Sequence, residues 1–408
     1  MIFKMKNTII TLLLSVISLQ LTAQEVLPQW QQGWMDIHTI GSASGECSFV
    51  IMPDGTTMMI DAGDVTKNNG TKRPFPHFMD NPDRTVGERL AEYVLDFSAG
   101  LPHPEKLDYF WLTHFHKDHM GQKKGMLPGP NGYGLSGITQ VGEYLEFGKI
   151  VDRGWPDYDY PSKDRVEKFN PGFMPEYRKF LEYKNTHKGT ELEKFVVGSK
   201  TQFKLCNAPK KYDFEVWNVA GAGLISTGKK LKTRKLFGEN MDPNLFDENM
   251  YSCVLVMRYG PFTYYNGGDI CGMGTKNGTK VDCESQIADL CGPMTVINAD
   301  HHGWKDSMNP YFLWKVKPKA VIIAASGANH PRPETIRRLT DPHLKIQGIF
   351  ASSRTGASVC GEEYGNMTAV GHVVVRVYEG GQKWQIFVLD NKENGYKILY
   401  SSKIMSVE

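Results

Sequence analysis

Eleven residues, "WLTHFHKDHMG" at 111–121, constrain this chain more than any other stretch. His114, His116, Asp118 and His119 stand in the spacing H-x-H-x-D-H, directly after the aromatic and apolar run "LDYFWLT" at 107–113. That run has the composition of a buried strand. A strand that stops at such a set presents its imidazoles and carboxylate together at its carboxyl end. Neutral imidazole and carboxylate are the donors a borderline divalent cation such as Zn²⁺ prefers, so the spacing predicts a metal site. Phe115 and Lys117 alternate away from the donors, to pack or to face solvent.

The rest of the chain alternates strands and helices. A strand near residues 35–40 precedes "CSFVIMPDGTTMMIDAG", two apolar runs around Asp54-Gly55, which reads as a hairpin. "TVGERLAEYVLDFSAG" at 85–100 has a threonine at its start, helical apolar spacing and a terminal glycine, the marks of a capped helix. Residues 122–247 read as an aromatic-rich insertion with a helix near 175–187. In it, Trp155, Tyr158 and Tyr160 suit a subdomain core better than a ligand wall. Residues 251–270 form a second hairpin, ending in Gly-Asp where the first ends in Asp-Ala-Gly. That weak repeat suggests two related β-α halves packed face to face. Strands "MTVINAD" and "KAVIIAAS", helices "NPYFLWKVKP" and "HPRPETIRRL" and a last hairpin follow, giving an α/β or α+β class with two sheets.

The first 23 residues do not belong to that fold. Lys4 and Lys6 precede an apolar run at 9–21 and a small-residue site ending at Ala23, the pattern of a cleaved Sec-type signal peptide. The run is too short to span a bilayer, and no cysteine stands near the cleavage point to carry a lipid. A periplasmic or secreted protein without a membrane span is expected, mature from residue 24. Removing the leader takes two lysines from 47 basic residues and leaves 45 against 45 acidic ones, net zero. A dedicated nucleic-acid binder carries a basic excess, so none is expected here. The local run "GKKLKTRK" at 228–235 reads as a solvated loop. Seven scattered cysteines form no C-x-x-C pair; Cys271, Cys283 and Cys291 are the closest together, and their pairing cannot be deduced.

Four motifs in order, "IDAG" at 60–63, "HFHKDH" at 114–119, "NGGD" at 266–269 and "DHHGW" at 300–304, make the chain resemble the metallo-β-lactamase superfamily. Within it, "SCVL" at 252–255, "GGD" at 267–269, "HHGW" at 301–304 and "NHP" at 329–331 are similar to the ComEC-type (competence DNA-uptake) hydrolase domain. The transmembrane channel of that protein is absent, so an uptake role does not carry over. The resemblance implies an αβ/βα four-layer sandwich of two mixed sheets with outer helices. It also implies one or two zinc ions, with manganese or iron as alternatives. His114 and His116 would hold the first ion; Asp118, His119 and His302 the second; Asp269 would bridge them. His302 aligns better than His301, which would then face the substrate. A hydroxide between the ions would form near neutral pH, because bound cations lower the pKa of water to about 7.

Many members supply the first ion with a further histidine. Between the H-x-H-x-D-H motif and Asp269 stands only His187, at the end of a helix; Asp152, near the end of "KIVDRG", is a second substitute and water a third. His330 reads either as a loop histidine or as a general acid or clamp on transition-state charge. Asp118, His301 and His330 are the expected catalytic residues. His38, His77, His103, His343 and His372 have no motif around them and read as structural or exposed. The redox branch of the superfamily has glutamate where His116 stands, so hydrolysis is expected, of a phosphodiester or phosphate ester in a small molecule or polymer. Hydrolysis of a lactam, lactone or thioester is the alternative, and a non-catalytic binding module the third reading.

Overall fold

Asp54 and Gly55 turn the first hairpin. Gly55 takes a φ of +85°, which glycine adopts without steric cost, and the Asp54 carboxylate accepts the Thr56 N–H at 3.0 Å. The hairpin pairs strands Ser48–Ile51 and Thr57–Ile60 in the computed structural model. It describes residues 26–42, 44–65, 84–237, 241–273, 275–276, 279–280, 282–327, 329–391 and 395–407. The expected leader and His77 lie outside the described residues. Helix Val86–Ser98 starts at Thr85, whose side chain and Glu88 form a reciprocal capping box.

Two large mixed sheets carry the fold. The first runs from Ile398–Ser401 through Lys383–Leu389, His372–Val377, Met35–Thr39, Ser48–Ile51, Thr57–Ile60, Lys106–Trp111 and Glu146–Asp152 to Glu191–Lys194. It is antiparallel as far as Thr57–Ile60 and parallel beyond. The second runs from Thr233–Lys235 through Leu224–Ser226, Phe214–Gly221, Val254–Tyr259, Phe262–Asn266, Val296–Asn298, Ala320–Ile323 and Gly348–Ala351 to Ala369–Val370. It too is antiparallel up to Phe262–Asn266 and parallel after. Each sheet therefore contains a hairpin followed by parallel strands, the layout that the weak sequence repeat suggested. Residues 122–247 are woven into both: they supply two strands to the first sheet and three to the second.

The period of two along each strand builds the layers. Trp111, Val151, Leu255, Tyr264 and Val296 face between the sheets. Their neighbours Phe110 and Ile150 face the helices Val86–Ser98, Ile138–Tyr144 and Met174–Lys188. Val254, Tyr265 and Ile297 face Glu284–Cys291 and Pro310–Val316 on the opposite side. Helices, sheet, sheet, helices is the expected four-layer αβ/βα sandwich. Each large apolar side chain buried in these layers contributes about 1.5–3 kcal/mol. The aromatic residues at 155–160 join that core: Tyr158 is buried against Phe115, and Tyr160 packs edge-on against Tyr251. None of the seven cysteines is joined in a disulfide. Among the described residues no helix is long and apolar enough to cross a membrane.

Candidate metal centre

The parallel strands of both sheets end on one edge of the sandwich, and the loops after them carry the polar motifs. Thr57–Ile60 ends at Asp61, Lys106–Trp111 at Thr113–His114, Phe262–Asn266 at Asp269, Val296–Asn298 at Asp300–His302, and Ala320–Ile323 at Ser326. The motif glycines let these loops touch. A Cβ on Gly63 would collide with the Asp118 carbonyl, and one on Gly267 with the Asp300 carboxylate. Chain connectivity thus brings residues more than 180 positions apart to a single point.

At that point two buried nitrogens and a carboxylate converge. His119 Nε2 and His302 Nε2 lie 3.1 Å apart, and Asp269 Oδ1 stands 3.2 Å from the first and 3.4 Å from the second. Asp118 Oδ2 is 3.4 Å from His302 Nε2. The other oxygen of Asp269 faces a second group: Oδ2 is 3.7 Å from His114 Nε2, which lies 3.2 Å from His116 Nδ1. Asp269 thus offers one oxygen to each of two donor groups, an arrangement that suits a bridging carboxylate.

The protons on the far sides of the rings decide what the near sides can do. His302 Nδ1 donates to the Ala324 carbonyl at 2.8 Å, and His119 Nδ1 to Asp61 Oδ2 at 2.7 Å. Thr113 gives its hydroxyl proton to Asp61 at 2.7 Å and so can accept one from His114 Nδ1 at 3.1 Å. In their neutral forms all three rings therefore direct an Nε2 lone pair inward. Asp269 Oδ1, buried among them, has no hydrogen-bond donor of its own. A buried cluster of acceptors around a carboxylate is unfavourable unless a cation fills it. The residues fit one or two divalent ions.

The electrostatics agree. Burial works against charge on His302, but Asp269 and Asp118 outweigh it and push its pKa up to about 9. His119 is likewise raised well above the ordinary imidazole range, with burial overcome by Asp269 and Asp61. The pocket pulls strongly on positive charge, whether proton or metal. Asp61 is the partner that fixes His119, held itself by the Thr113 N–H at 2.8 Å. Asp61→Asn should weaken metal affinity by about 10–100-fold, measured by competition with a chelating dye. Unchanged affinity would remove Asp61 from this role.

Sequence reasoning missed two contributors. Asp61 lies inside the motif at 60–63, where nothing local marks it as the partner of His119. Glu46, in "SGECS", had no motif to mark it, yet it is fully buried with its Oε2 3.4 Å from His302 Nδ1. Its Oε1 accepts from Asn298 at 2.6 Å. An oxygen of Glu46 stands with His119, Asp269 and His302 in one group whose donor atoms lie within 4.8 Å of one another. A buried acid between an apolar strand and glycine was the only signal available.

The two substitutes for a further ligand are not drawn in. Asp152 is saturated by the Gly154 and Trp155 N–H groups at 2.7 and 2.8 Å and by the Tyr158 and Tyr177 hydroxyls at 2.7 and 3.1 Å. His187 is exposed and stacks on Tyr183, with ring centroids 4.7 Å apart. Instead Asp247 approaches His116, its Oδ1 3.6 Å from Nε2. His116 is also the exposed member of its group, with 27% of its side chain accessible, so this half of the centre opens to solvent.

His301 and His302 both adopt positive φ, +50° and +52°, which turns the adjacent rings in different directions. His302 enters the buried group. His301 stays at the rim, 15% exposed, with Nε2 3.9 Å from Asp269 Oδ2 and 2.9 Å from the Asn249 amide nitrogen. His330 caps the same rim, its ring centroid 5.0 Å from that of His302 and 6.0 Å from that of His301. Its Nδ1 donates to the Ser326 carbonyl, which leaves Nε2 as an acceptor. Burial, then the neighbouring His302 and His301, push its pKa down to about 3, so the ring is neutral near pH 7. To act as an acid it must first take a proton from the reaction itself. Of the histidines outside the motifs, His38 and His372 are buried and bonded to Tyr93 and the Gly41 N–H, while His103 and His343 are exposed.

The fold and these donors define a mixed α/β protein of two large sheets with a buried His/Asp/Glu cluster able to hold metal. No protein-family model matches the sequence, and no curated protein matches it. Among solved structures, zinc-bound PqqB from Methylobacterium extorquens is similar at 10% identity, covering 81% of this chain and 87% of that one, with a TM-score of 0.34. A protein of Parabacteroides distasonis described provisionally as a metal-dependent hydrolase shares 9% identity over 77% of this chain and 96% of its own, TM-score 0.32. The short form of human tRNase Z shares 10% over 65% and 77%, TM-score 0.28. At such scores these likenesses carry no argument, and the description of the centre rests on its own geometry.

Proposed function

We propose that the chain is an exported metal-dependent hydrolase of phosphodiesters or phosphate esters. The observation that carries the metal chemistry is Asp269, which turns one oxygen to His119 and His302 and the other to His114. Divalent ions held there supply Lewis acidity and lower the pKa of a bound water toward neutrality. The chain's own part is to fix the donors through their Nδ1 partners and to keep the inner half of the site dry. His301 and His330 flank the open half, where a substrate must enter. There the His330 Nε2 can accept a proton and return it to the leaving group. The order of substrates, phosphate ester before carboxyl derivative, rests on the motif resemblance to the ComEC-type hydrolase domain. Zinc is the first choice of metal, since imidazole and carboxylate are its usual donors.

The test is a panel of aryl phosphodiesters, phosphomonoesters, lactones and a chromogenic cephalosporin, run on metal-loaded protein. Turnover confined to lactones or the cephalosporin would replace the phosphate reading with the carboxyl one. No turnover by fully loaded protein would make the chain a binding module. His330→Ala should lower the rate by roughly 10²–10⁴-fold on poor leaving groups and much less on nitrophenyl esters, which need no proton. An equal loss on both would deny it the proton-transfer role. Export predicts a secreted form lacking residues through about Ala23; intact-mass measurement showing Met1 retained would refute it.

A further inference from the structure

A second set of donors lies beside the proposed centre and shares only one residue, His301, with the reading above. Cys271, His301 and Asp306 each place a ligand atom within 4.8 Å of the others. His301 belongs to the motif at 300–304, whereas Cys271 and Asp306 lie outside the motifs. We propose that these residues form an additional site for a zinc-like transition-metal ion.

The donor set is selective. A thiol sulfur with an imidazole and one carboxylate suits zinc, cadmium or cobalt and offers little to magnesium or calcium, which seek oxygen. The backbone holds the donors together before any ion arrives. The Gly272 and Met273 N–H groups both donate to the Asp306 carbonyl at 2.8 Å, which ties the Cys271 loop to the Asp306 loop. The Cys283 N–H donates to the Cys271 carbonyl at 2.9 Å and braces the other side. Cys271 is 2% exposed, whereas the side chains of His301 and Asp306 are 15% and 18% exposed. The site is thus walled on its sulfur side and reachable from solvent on its oxygen side.

Its consequence follows from the tautomer of His301. At present Nδ1 donates to Asp306 Oδ1 at 2.8 Å, and Nε2 accepts from Asn249 at 2.9 Å. An ion shared by Nδ1, Asp306 and Cys271 takes the place of the Nδ1 proton, and the neutral ring then carries its proton on Nε2. The atom facing Asp269 changes from acceptor to donor, and its bond to the Asn249 amide is lost. Excess zinc should therefore inhibit, a consequence that rests on His301 facing the substrate as proposed above.

Binding itself is tested without turnover. The full chain, with its His/Asp centre first filled with cobalt, is titrated with further cobalt and followed by absorption. A thiolate-to-cobalt charge-transfer band should grow in the near ultraviolet and be lost in Cys271→Ser. Asp306→Asn, a change at a partly exposed position, should require at least about tenfold more cobalt. No such band in folded wild-type protein overturns the proposal, as does a band that persists in Cys271→Ser. If Cys271→Ser also loses the visible ligand-field bands of the centre, the Asp306→Asn titration decides: an unshifted curve overturns the site. Relief of zinc inhibition in Cys271→Ser is the separate readout for the role of His301. Its failure alongside a confirmed band would overturn that role and leave the site standing.

Discussion

Alanine at His302 is expected to strip metal from the protein and to lower hydrolysis by more than about 10²-fold, while alanine at His301 keeps the metal. The two residues are adjacent and look equivalent in "DHHGW", so the contrast is a sharp test of the geometry. The buried His302 Nε2 lies 3.4 Å from Asp269 Oδ1, 3.1 Å from His119 Nε2 and 3.4 Å from the partly exposed Asp118 carboxylate. Its removal takes away an inward lone pair that nothing nearby replaces. His301 is braced by Asn249 and Asp306 at the rim. Its loss should lower the rate by about 10²–10⁴-fold with the centre still filled. Metal analysis after dialysis at low free zinc, set beside initial rates, separates the outcomes. Metal lost at His301 and retained at His302 would exchange the roles.

The largest stability effect should come from a residue that touches no metal donor. Arg153 and Glu248 form a bidentate ion pair at 1% and 0% exposure, through Arg153 Nε to Oε1 at 2.7 Å and through Nη2 to Oε2. Glu248 Oε1 also accepts the Phe115 N–H at 2.8 Å, inside the H-x-H-x-D-H loop. The guanidinium sits 4.4 Å above the Phe115 ring and 5.2 Å above that of Tyr251. Arg153→Met leaves the glutamate buried without its cation, at an expected cost of about 3–5 kcal/mol in denaturant unfolding. The paired change Arg153→Met with Glu248→Leu should recover much of that loss, because no charge is then stranded. A single-variant loss below about 1 kcal/mol, the range of exposed pairs, would show that the pair is not desolvated as described. Since the pair anchors the loop that carries His114 and His116, the single variant should bind metal more weakly as well.

Much of this site could be read from the chain. The histidine motif after an apolar strand marks a donor cluster because strand periodicity and ligand chemistry are both local properties. The hairpin at Asp54-Gly55 and the capped helix at Thr85 are local for the same reason: turn and cap residues act within a few positions of themselves. What local pattern could not show is which distant residues complete the cluster. Glu46 sits 256 positions before His302 and carries no motif, and only the packing of the first sheet against the second brings them together. Asp152 is a possible substitute ligand by sequence, yet four hydrogen bonds from its own loop and helix consume it.

The stretch at 122–247 shows the same boundary at the scale of the fold. Its aromatic composition read as an insertion, but strand pairing is decided by partners far along the chain, and the segment became part of both sheets. By itself the sequence determined the element types, the donor chemistry of the motifs and their order. The tertiary structure decided which imidazole nitrogens turn inward, which carboxylates remain available, and that His301 and His302 part company. Those outcomes depend on hydrogen-bond partners such as Ala324, Asp61 and Asp306, whose distance from each ring is set by how the loops of two sheets meet.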